Sequence, residues 1–243
     1  SPPRFHYEHA MTAIEAGCHV LCEKPFVYEE DVPTDELIDR ARTLVAEAQG
    51  AGVRLGMCSQ YYVSANACHT LLTEHGKDGE IETYRGHIAS PAGDRDPDPV
   101  ATWIDLGPHM LAGMQALFPD GRIDFGSLTT DFDGYNASAA FALQLPGNRT
   151  VECEVYTGRT TEDSPASHVR RYELNDAVFD IGGVKDDNGV YCAEYTTPWG
   201  TFLRPDPMRL LIGDFLRGTP RIDGPTALTN LTWLLRIRSH GTA

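Results

Sequence analysis

With 243 residues, of which 41% are hydrophobic and 23% charged, the chain is long enough for one large domain or two smaller ones. The composition is that of an ordinary globular protein, which argues against a low-complexity or fibrous class. The formal net charge is −15 and the basic residues form no stripe, so binding to a nucleic-acid backbone is not expected.

The N-terminal part of the chain alternates predicted helices with short apolar strands. Apolar spacing in residues 7–16 predicts a helix that Gly17 ends. Residues 19–22 are typical of a strand buried on both faces, residues 34–51 of a second helix, and residues 53–58 of a second buried strand. Helix, strand, helix and strand with short connections predict parallel strands in a doubly wound α/β sheet.

After a third predicted helix, over residues 66–76, the pattern changes to alternating strands. Residues 80–90 alternate, as do residues 137–156, where the turn sequence at 145–148 indicates a hairpin. Further strand-like runs are 171–174, 177–181, 189–195 and 200–203, and further helices are predicted over 108–117, 208–216 and 227–238. This half is predicted to be a mostly antiparallel α+β sheet, open to solvent on one face.

The sequence contains no glycine fingerprint of a dinucleotide-binding domain. Such a domain has two βαβαβ halves, and the G-x-G-x-x-G sequence lies in the first turn of the first half. No match to it follows a predicted strand here. Two alternatives stay open from the residues alone: the first half is missing from this chain, or the chain does not bind a dinucleotide.

Two motifs connect the chain to a known family. Residues 16–25 read AGCHVLCEKP and follow Pro2-Pro3, His6 and His9, and residues 103–109 contain Asp105-x-x-x-His109. These sequences resemble the Gfo/Idh/MocA oxidoreductases, named for glucose-fructose oxidoreductase and inositol dehydrogenase. The resemblance covers essentially the whole chain. It implies that residues 1–62 are the remaining part of an NAD(P)-binding Rossmann domain and that residues 63–243 form an α+β substrate-binding and oligomerisation domain.

The resemblance implies a function as well as a fold. The expected activity is an NAD- or NADP-dependent transfer of a hydride between the nicotinamide and a sugar, cyclitol or related hydroxylated metabolite. The alternative is a non-catalytic relative, acting as a partner subunit or a ligand-binding protein, that has lost dinucleotide binding. The missing glycine loop favours the alternative, whereas the complete set of Lys24, Asp105 and His109 argues for the enzyme.

Lys24, Asp105 and His109 match the family's catalytic lysine, aspartate and histidine. Lys24 follows a predicted parallel strand, at the sheet edge where open α/β sheets bind ligands, and it can donate hydrogen bonds to a substrate oxygen. Pro108 is predicted to be the first residue of a helix, which would place His109 in the first turn. The helix dipole there would keep the imidazole neutral, as a general base must be, and Asp105 would either orient that imidazole or bind a substrate hydroxyl.

The resemblance also implies contacts with the cofactor. The predicted cofactor-binding residues are Ser1, Pro2, His6, Glu23, Lys24, Pro25 and Gln60. Ser1, Pro2 and His6 would lie along the nicotinamide half, Glu23 near its ribose and Gln60 near the nicotinamide. Trp103 and Tyr84 are interpreted either as part of the substrate pocket or as core.

The remaining expectations concern metals, location and assembly. The six cysteines and nine histidines form no metal-binding pattern, so no metal is expected. No run of apolar residues is long enough to span a membrane and no secretory signal opens the sequence, which makes the cytoplasm the expected location. The family implies a homo-oligomer through the open sheet face, with Phe141, Leu143 and Leu145 as candidate contacts.

Overall fold

The computed structural model describes residues 1–77, 79–162, 164 and 168–242. A short 3-10 helix at Pro3–Phe5 precedes the first α-helix. The helices are α1 (His6–Glu15), α2 (Thr34–Gly50), α3 (Gln60–Glu74), α4 (Pro99–Leu117), α5 (Pro207–Arg217) and α6 (Gly224–Gly241). The strands are β1 (Val20–Glu23), β2 (Leu55–Cys58), β3 (Thr83–Pro91), β4 (Arg122–Asp133), β5 (Asn136–Leu145), β6 (Arg149–Thr160), β7 (Val169–Leu174), β8 (Ala177–Lys185), β9 (Tyr191–Thr197) and β10 (Gly200–Pro205).

The N-terminal helices and strands form a small parallel α/β unit, as predicted. Strands β1 and β2 pair in parallel, with Val20 opposite Leu55 and Glu23 opposite Cys58. All four residues of β2 are buried, because helices pack around this sheet, with α1 next to β1 and both α5 and α6 next to β2. A strand covered on both faces needs apolar side chains on both, which explains the uninterrupted apolar runs.

The second sheet has eight strands in the order β10-β9-β8-β7-β3-β6-β5-β4. Every neighbouring pair is antiparallel except β3 and β6, which run in parallel. Helix α4 packs on β3, β5 and β6, and α6 packs on α4 and β4, so helices cover one face of this sheet. The predicted fold class, a parallel α/β part followed by a mostly antiparallel α+β sheet with helices on one face, is confirmed.

The covered face of the large sheet carries the core. Tyr84 and Trp103 are completely buried there, so both are core residues. Phe141 and Leu143 are 5% and 0% exposed and belong to the same core, and Leu145 is half-buried against it. The expectation that these three residues contact another subunit through the open face is therefore wrong. Alternation along β5 turns the small and polar side chains, not the large apolar ones, to the open face.

Helix α3 begins six residues earlier than the pattern predicted. It starts at Gln60, directly after the extended Ser59, rather than at Asn66. Its first turns carry Tyr61, Val63 and Ala65, which are buried on more than one side of the helix. Burial on several sides removes the polar stripe that marks an amphipathic helix in sequence, so periodicity alone missed this part.

Helix α4 begins at Pro99 and not at Pro108, which contradicts the prediction. The Asp98 side chain accepts a hydrogen bond of 2.8 Å from the backbone N–H of Ala101, and Pro99 occupies the first turn. Pro108 lies inside the helix, where it removes one backbone hydrogen bond. Packing against α6 compensates, since Trp103 Nε1 donates to Leu234 O at 3.0 Å and Asn230 Nδ2 donates to Pro108 O at 3.2 Å.

Among the strands, β4 was not predicted, whereas the hairpin of β5 and β6 is confirmed. Strand β4 pairs with β5 as the edge of the sheet, and its register shifts between Asp124 and Thr129. The shift interrupts the alternation of buried and exposed residues, which is the signal that periodicity reads. Strands β5 and β6 pair from Asn136 opposite Gly158 to Leu145 opposite Arg149.

The predicted domain division after residue 62 falls within α3, which runs from the edge of the small sheet toward the large one. The division into 1–62 and 63–243 stays a prediction. Within the described residues, no helix combines the length and the apolarity that a membrane span requires.

Candidate active site

The carboxyl ends of β1 and β2 form the edge on which the predicted site lies. Because the two strands are parallel, the residues after Glu23 and after Cys58 emerge side by side. Lys24 and Pro25 follow β1, joined by a cis peptide bond, while Ser59 and Gln60 follow β2. Lys24 thus lies at the end of a parallel strand, as predicted.

Lys24 connects this edge to helix α4. Its ammonium Nζ donates to the Asp105 backbone oxygen at 2.7 Å and to Asp105 Oδ1 at 2.5 Å. The Lys24 side chain is only 17% exposed, whereas that of Asp105 is 42% exposed. The two motifs of the sequence, Glu23-Lys24-Pro25 and Asp105-x-x-x-His109, therefore meet through a direct ion pair across 81 positions of the chain.

A third residue, which the sequence reasoning missed, completes this network. Arg159 on β6 donates to Asp105 Oδ2 at 2.5 Å and to Ser90 Oγ on β3 at 2.6 Å, and its side chain is 7% exposed. Arg159 is in phase with Val155 and Thr157, which face the helices. A charged residue in the buried phase of a strand is unusual, and that signal could have identified Arg159 from the sequence.

The Asp105 carboxylate is held in its ionised form. Burial alone raises its pKa, but the Lys24 ammonium and the Arg159 guanidinium outweigh burial and lower the pKa to about 2. Each of the two oxygens accepts from a different cation. At neutral pH Asp105 is thus a negative charge that fixes two positive side chains.

His109 lies one helical turn after Asp105, on the same face of α4. Its Nδ1 is 3.0 Å from Ser59 Oγ, and its ring centroid is 4.7 Å from that of Tyr61. Among the described residues, the hydrogen bond of this imidazole is to the end of β2 and not to Lys24 or Asp105. The imidazole is therefore oriented by Ser59, a role that had been expected of Asp105.

The predicted cause of a neutral imidazole is wrong. His109 lies in the middle of α4 and not in its first turn, so the N-terminal helix dipole does not act on it. Burial lowers its pKa to about 3, with a further contribution from the positive charge of Lys24, which Asp105 opposes only in part. The ring is therefore neutral at physiological pH because of burial and the nearby positive charge, and not because of the helix dipole.

His6 holds the loop after β1 against the start of the chain. It is 3% exposed, and its ring nitrogens lie 2.8 Å from Pro25 O and 2.9 Å from Ser1 O. A neutral imidazole has one N–H group and so donates to one of these carbonyls. Because both ring nitrogens face backbone, His6 fits a supporting position behind Ser1, Pro2 and Pro25.

Glu23 and Gln60 occupy the same sheet edge. Glu23 Oε2 accepts from the Lys24 backbone N–H at 3.3 Å, and its carboxylate also contributes to raising the pKa of the neighbouring Cys58 thiol, mainly a burial effect, to about 12. Gln60 opens α3 and is half-buried. The structure therefore brings Ser1, Pro2, His6, Glu23, Lys24, Pro25 and Gln60 around the ends of two adjacent strands.

A cleft of about 720 Å³ opens next to the ion-paired network. Its lining includes Lys24, Asp105 and Arg159, together with Pro3 and Pro25. Among the described residues no group of histidine, cysteine and carboxylate side chains could hold a metal ion. The cleft therefore offers the hydrogen-bond donors of Lys24 and Arg159 to a ligand.

The donors at the sheet edge fit the nicotinamide end of a dinucleotide. Lys24 Nζ and the Gln60 amide lie at the carboxyl ends of adjacent parallel strands, where open α/β sheets bind such ligands. The sequence contains no glycine-rich loop to receive the pyrophosphate. These residues are therefore candidates for contacts with the nicotinamide half of such a cofactor.

A comparison with protein-family models matches residues 1–58 to the oxidoreductase family Gfo/Idh/MocA, described as having an NAD-binding Rossmann fold. This match contains the strand end with Glu23-Lys24-Pro25, and it confirms the resemblance inferred from that motif.

Two curated proteins are similar to parts of the chain. D-glucoside 3-dehydrogenase of Escherichia coli is 54% identical over 44 residues, which are 18% of this chain and 12% of that protein. An uncharacterized oxidoreductase of Schizosaccharomyces pombe is 33% identical over 92 residues, which are 36% of this chain and 22% of that protein. The chain thus matches less than a quarter of the length of either relative.

Solved structures resemble the chain over nearly all of its length. UDP-N-acetylglucosamine 3-dehydrogenase GnnA from Acidithiobacillus ferrooxidans superposes with a TM-score of 0.69 at 19% identity, covering 99% of this chain and 76% of GnnA. An inositol dehydrogenase homolog from Azotobacter vinelandii, complexed with NADH and myo-inositol, gives a TM-score of 0.64 at 16% identity, covering 100% of this chain and 74% of the homolog. At these identities the comparison establishes the fold.

Proposed function

We propose that this chain carries the catalytic side chains of an NAD- or NADP-dependent dehydrogenase or reductase. The substrate would be a sugar, a cyclitol or a related hydroxylated metabolite, and the reaction would take place at a CH–OH group. The observation that carries the proposal is the ion pair of Lys24 and Asp105, which joins the strand-end motif to the face of α4 that bears His109.

The proposed roles follow from the atoms that remain available. When bound, the nicotinamide ring supplies the position that accepts or releases the hydride. In the tautomer in which His109 Nδ1–H donates to Ser59 Oγ, Nε2 keeps a free lone pair and accepts the substrate hydroxyl proton as the carbinol carbon loses its hydride. The Lys24 ammonium donates to the same substrate oxygen, while Asp105 and Arg159 hold that ammonium in place.

The comparisons support this reaction class. The relatives named above include dehydrogenases of a glucoside, of a nucleotide sugar and of an inositol type, and one of them was solved with NADH and myo-inositol. A non-catalytic relative would have no chemical reason to keep Lys24, Asp105 and His109 together. Ser1, Pro2, His6, Glu23, Lys24, Pro25 and Gln60 are the proposed cofactor contacts.

Replacing Lys24 or His109 in the full-length protein tests the assignment. Reduction of NAD⁺ or NADP⁺ is followed by absorbance with methyl glucosides, myo-inositol and UDP-N-acetylglucosamine as substrates. We expect Lys24→Met and His109→Gln each to lower kcat by at least about 100-fold, the range for losing a general acid or base. The matched controls Lys185→Met and His69→Gln, on exposed positions, should leave turnover unchanged.

Unchanged turnover in both the Lys24 and the His109 variants would exclude the proposed mechanism. If a substrate is turned over by the native protein and by the controls alone, the roles of both residues are supported. Circular dichroism of each variant separates lost catalysis from lost folding.

We further propose a homo-oligomer through the open face of the large sheet. That face carries polar and charged residues, among them the ion-paired Arg171 and Asp180 and the ion pair of Arg85 with Glu154. Charged pairs are screened by salt, so an interface of this composition should weaken as ionic strength rises. Sedimentation velocity at low and high salt tests the assembly, and a monomer under both conditions would contradict it.

A further inference from the structure

Two arginines flank strand β3 on the face of the large sheet that the helices cover. In the strand register Arg159 of β6 lies opposite Ser90, and Arg170 of β7 lies opposite Ile88. Arg170 is in phase with Tyr172 and Leu174, which are buried under the helices. Both guanidinium groups therefore arise from the side of the sheet on which α4 presents Asp105 and His109.

The two arginines differ in their partners. The Arg159 guanidinium donates hydrogen bonds to Asp105 and Ser90. Arg170 takes part in none of the salt bridges within the residues that the structure describes, although it is half-buried. The Arg170 guanidinium therefore gives up part of its hydration without gaining a carboxylate, which leaves its charge available to an anionic group.

Arg170 acts electrostatically on the candidate catalytic base. Its positive charge contributes to lowering the pKa of His109, and the Tyr61 ring lies 4.7 Å from the His109 ring. The Tyr172 hydroxyl, two residues along β7, donates to Tyr61 O at 3.1 Å and ties this end of the strand to α3. The strand that carries Arg170 is therefore tied to the turn of α3 whose Tyr61 contacts His109.

The local charge is opposite to that of the whole chain. The chain has a formal net charge of −15, but Lys24 and Arg159 both pair with Asp105, and Arg170 arises from the same face of the sheet. The other carboxylate at the sheet edge, Glu23, accepts from a backbone N–H. Arg170 adds a guanidinium that takes part in none of the salt bridges of the described residues, and its planar donors match carboxylate and phosphate oxygens.

We propose that Arg170 forms an anion subsite, so that the substrate is a hydroxylated compound bearing a carboxylate or phosphate group within reach of this guanidinium. This inference rests on the proposed function only in that it calls the bound compound a substrate. The binding of an anion does not depend on turnover. Arg159 does not provide such a subsite, because its guanidinium already pairs with Asp105. A neutral sugar would leave the Arg170 charge unpaired.

Binding is measured by calorimetry on the full-length protein with three probes of similar size: D-glucuronate, D-glucose 6-phosphate and D-glucose. We expect at least one anionic probe to bind roughly tenfold or more tightly than D-glucose, the size of a charge-assisted hydrogen bond. The stronger of the two anionic probes then identifies the carboxylate or the phosphate as the recognised group.

The chain offers a matched control for the key residue. Arg171 is the next residue, but it faces the open side of the sheet and pairs with Asp180 at 2.7 Å. Arg170→Gln should abolish the preference for the anionic probe, Arg170→Lys should keep part of it, and Arg171→Gln should leave it intact. Equal affinities for all three probes in the native protein, or equal losses in Arg170→Gln and Arg171→Gln, would overturn the proposal.

The failure of this inference and the failure of the proposed function are distinguishable. If Lys24→Met still turns over substrate while Arg170→Gln loses the anion preference, the catalytic assignment falls and the subsite stands. If Lys24→Met is inactive and the native protein binds glucuronate, glucose 6-phosphate and glucose alike, the catalytic assignment stands and the subsite falls.

Discussion

At the level of single residues, Asp105 organises the site because its two oxygens serve two different cations. Lys24 takes Oδ1 and Arg159 takes Oδ2. A carboxylate with two charge-assisted bonds has little freedom to rotate, so the position of the Lys24 ammonium depends on an arginine that does not contact it directly. The motifs predicted Lys24, Asp105 and His109, but not this dependence on β6.

Removing Arg159 should therefore weaken the site without removing a predicted catalytic group. In Arg159→Gln we expect kcat to fall roughly tenfold with little change in KM, since one charge-assisted hydrogen bond to Asp105 is lost. The pKa of Asp105 should rise, which moves the acid limb of the pH–kcat profile upward. Ser90→Ala, which removes only the other partner of Arg159, serves as the control and should leave that limb in place.

His109 should make stability depend on pH in a predictable direction. Its pKa in the folded protein, about 3, is below the ordinary value of 6.5, so between these values the unfolded chain binds a proton that the folded chain does not. The stabilising contribution is complete above pH 6.5 and is lost as the pH falls toward 3. Between about pH 7 and pH 4 the native protein should lose more free energy of unfolding than His109→Gln.

Denaturant titrations of both proteins at the two pH values measure that difference. An equal loss in the native protein and in His109→Gln would show that the imidazole titrates normally. Asp105 contributes equally in both proteins, and its own stabilising effect disappears only as the pH falls from about 4 toward 2.

At the level of elements, helix α4 shows where sequence signals compete. Pro108 suggested a helix start, but Asp98 and Pro99 provide both a capping side chain and an N-terminal proline. The internal proline is tolerated because α6 supplies hydrogen bonds and packing on that side. Such compensation comes from residues more than a hundred positions away, and local sequence patterns carry no information about it.

The Asp98 cap gives a direct test of this start. Asp98→Ala should destabilise the protein by about 1 kcal/mol, because the N–H of Ala101 loses its acceptor. Thermal unfolding measures the change, with Asp96→Ala, an exposed aspartate just ahead of the cap, as the control. An unchanged stability of Asp98→Ala would contradict this cap and favour a helix start nearer Pro108.

Close packing between α4 and β7 depends on the absence of a side chain at Gly113. A Cβ there would lie 2.3 Å from the Tyr172 hydroxyl oxygen, which donates to Tyr61 O. Gly113→Ala should destabilise the protein by about 1–3 kcal/mol, the usual cost of overpacking. Gly50→Ala, where a Cβ would meet no atom within 4 Å, is the control in the same unfolding experiment.

At the level of the whole molecule, the sequence predicted the parallel part and the class of the second sheet better than its strand order. Parallel β1 and β2 follow from the alternation of short helices and strands. The parallel pairing of β3 with β6, which brings Arg159 beside Ser90, joins strands separated by α4, β4 and β5. No local pattern specifies which distant strands become neighbours, so the contacts of Arg159 could not be predicted.

The order of the site residues along the chain has a consequence for folding. Lys24 is 81 positions from Asp105, and Asp105 is 54 positions from Arg159, so the network joins segments that are far apart in the unfolded chain. Contacts of such long range form late, since the intervening loops must be closed first. During refolding, the strand end bearing Lys24 can form early, whereas the complete network with Asp105 and Arg159 forms only after β3 and β6 have paired. The last event of folding and the appearance of activity should then share one rate constant.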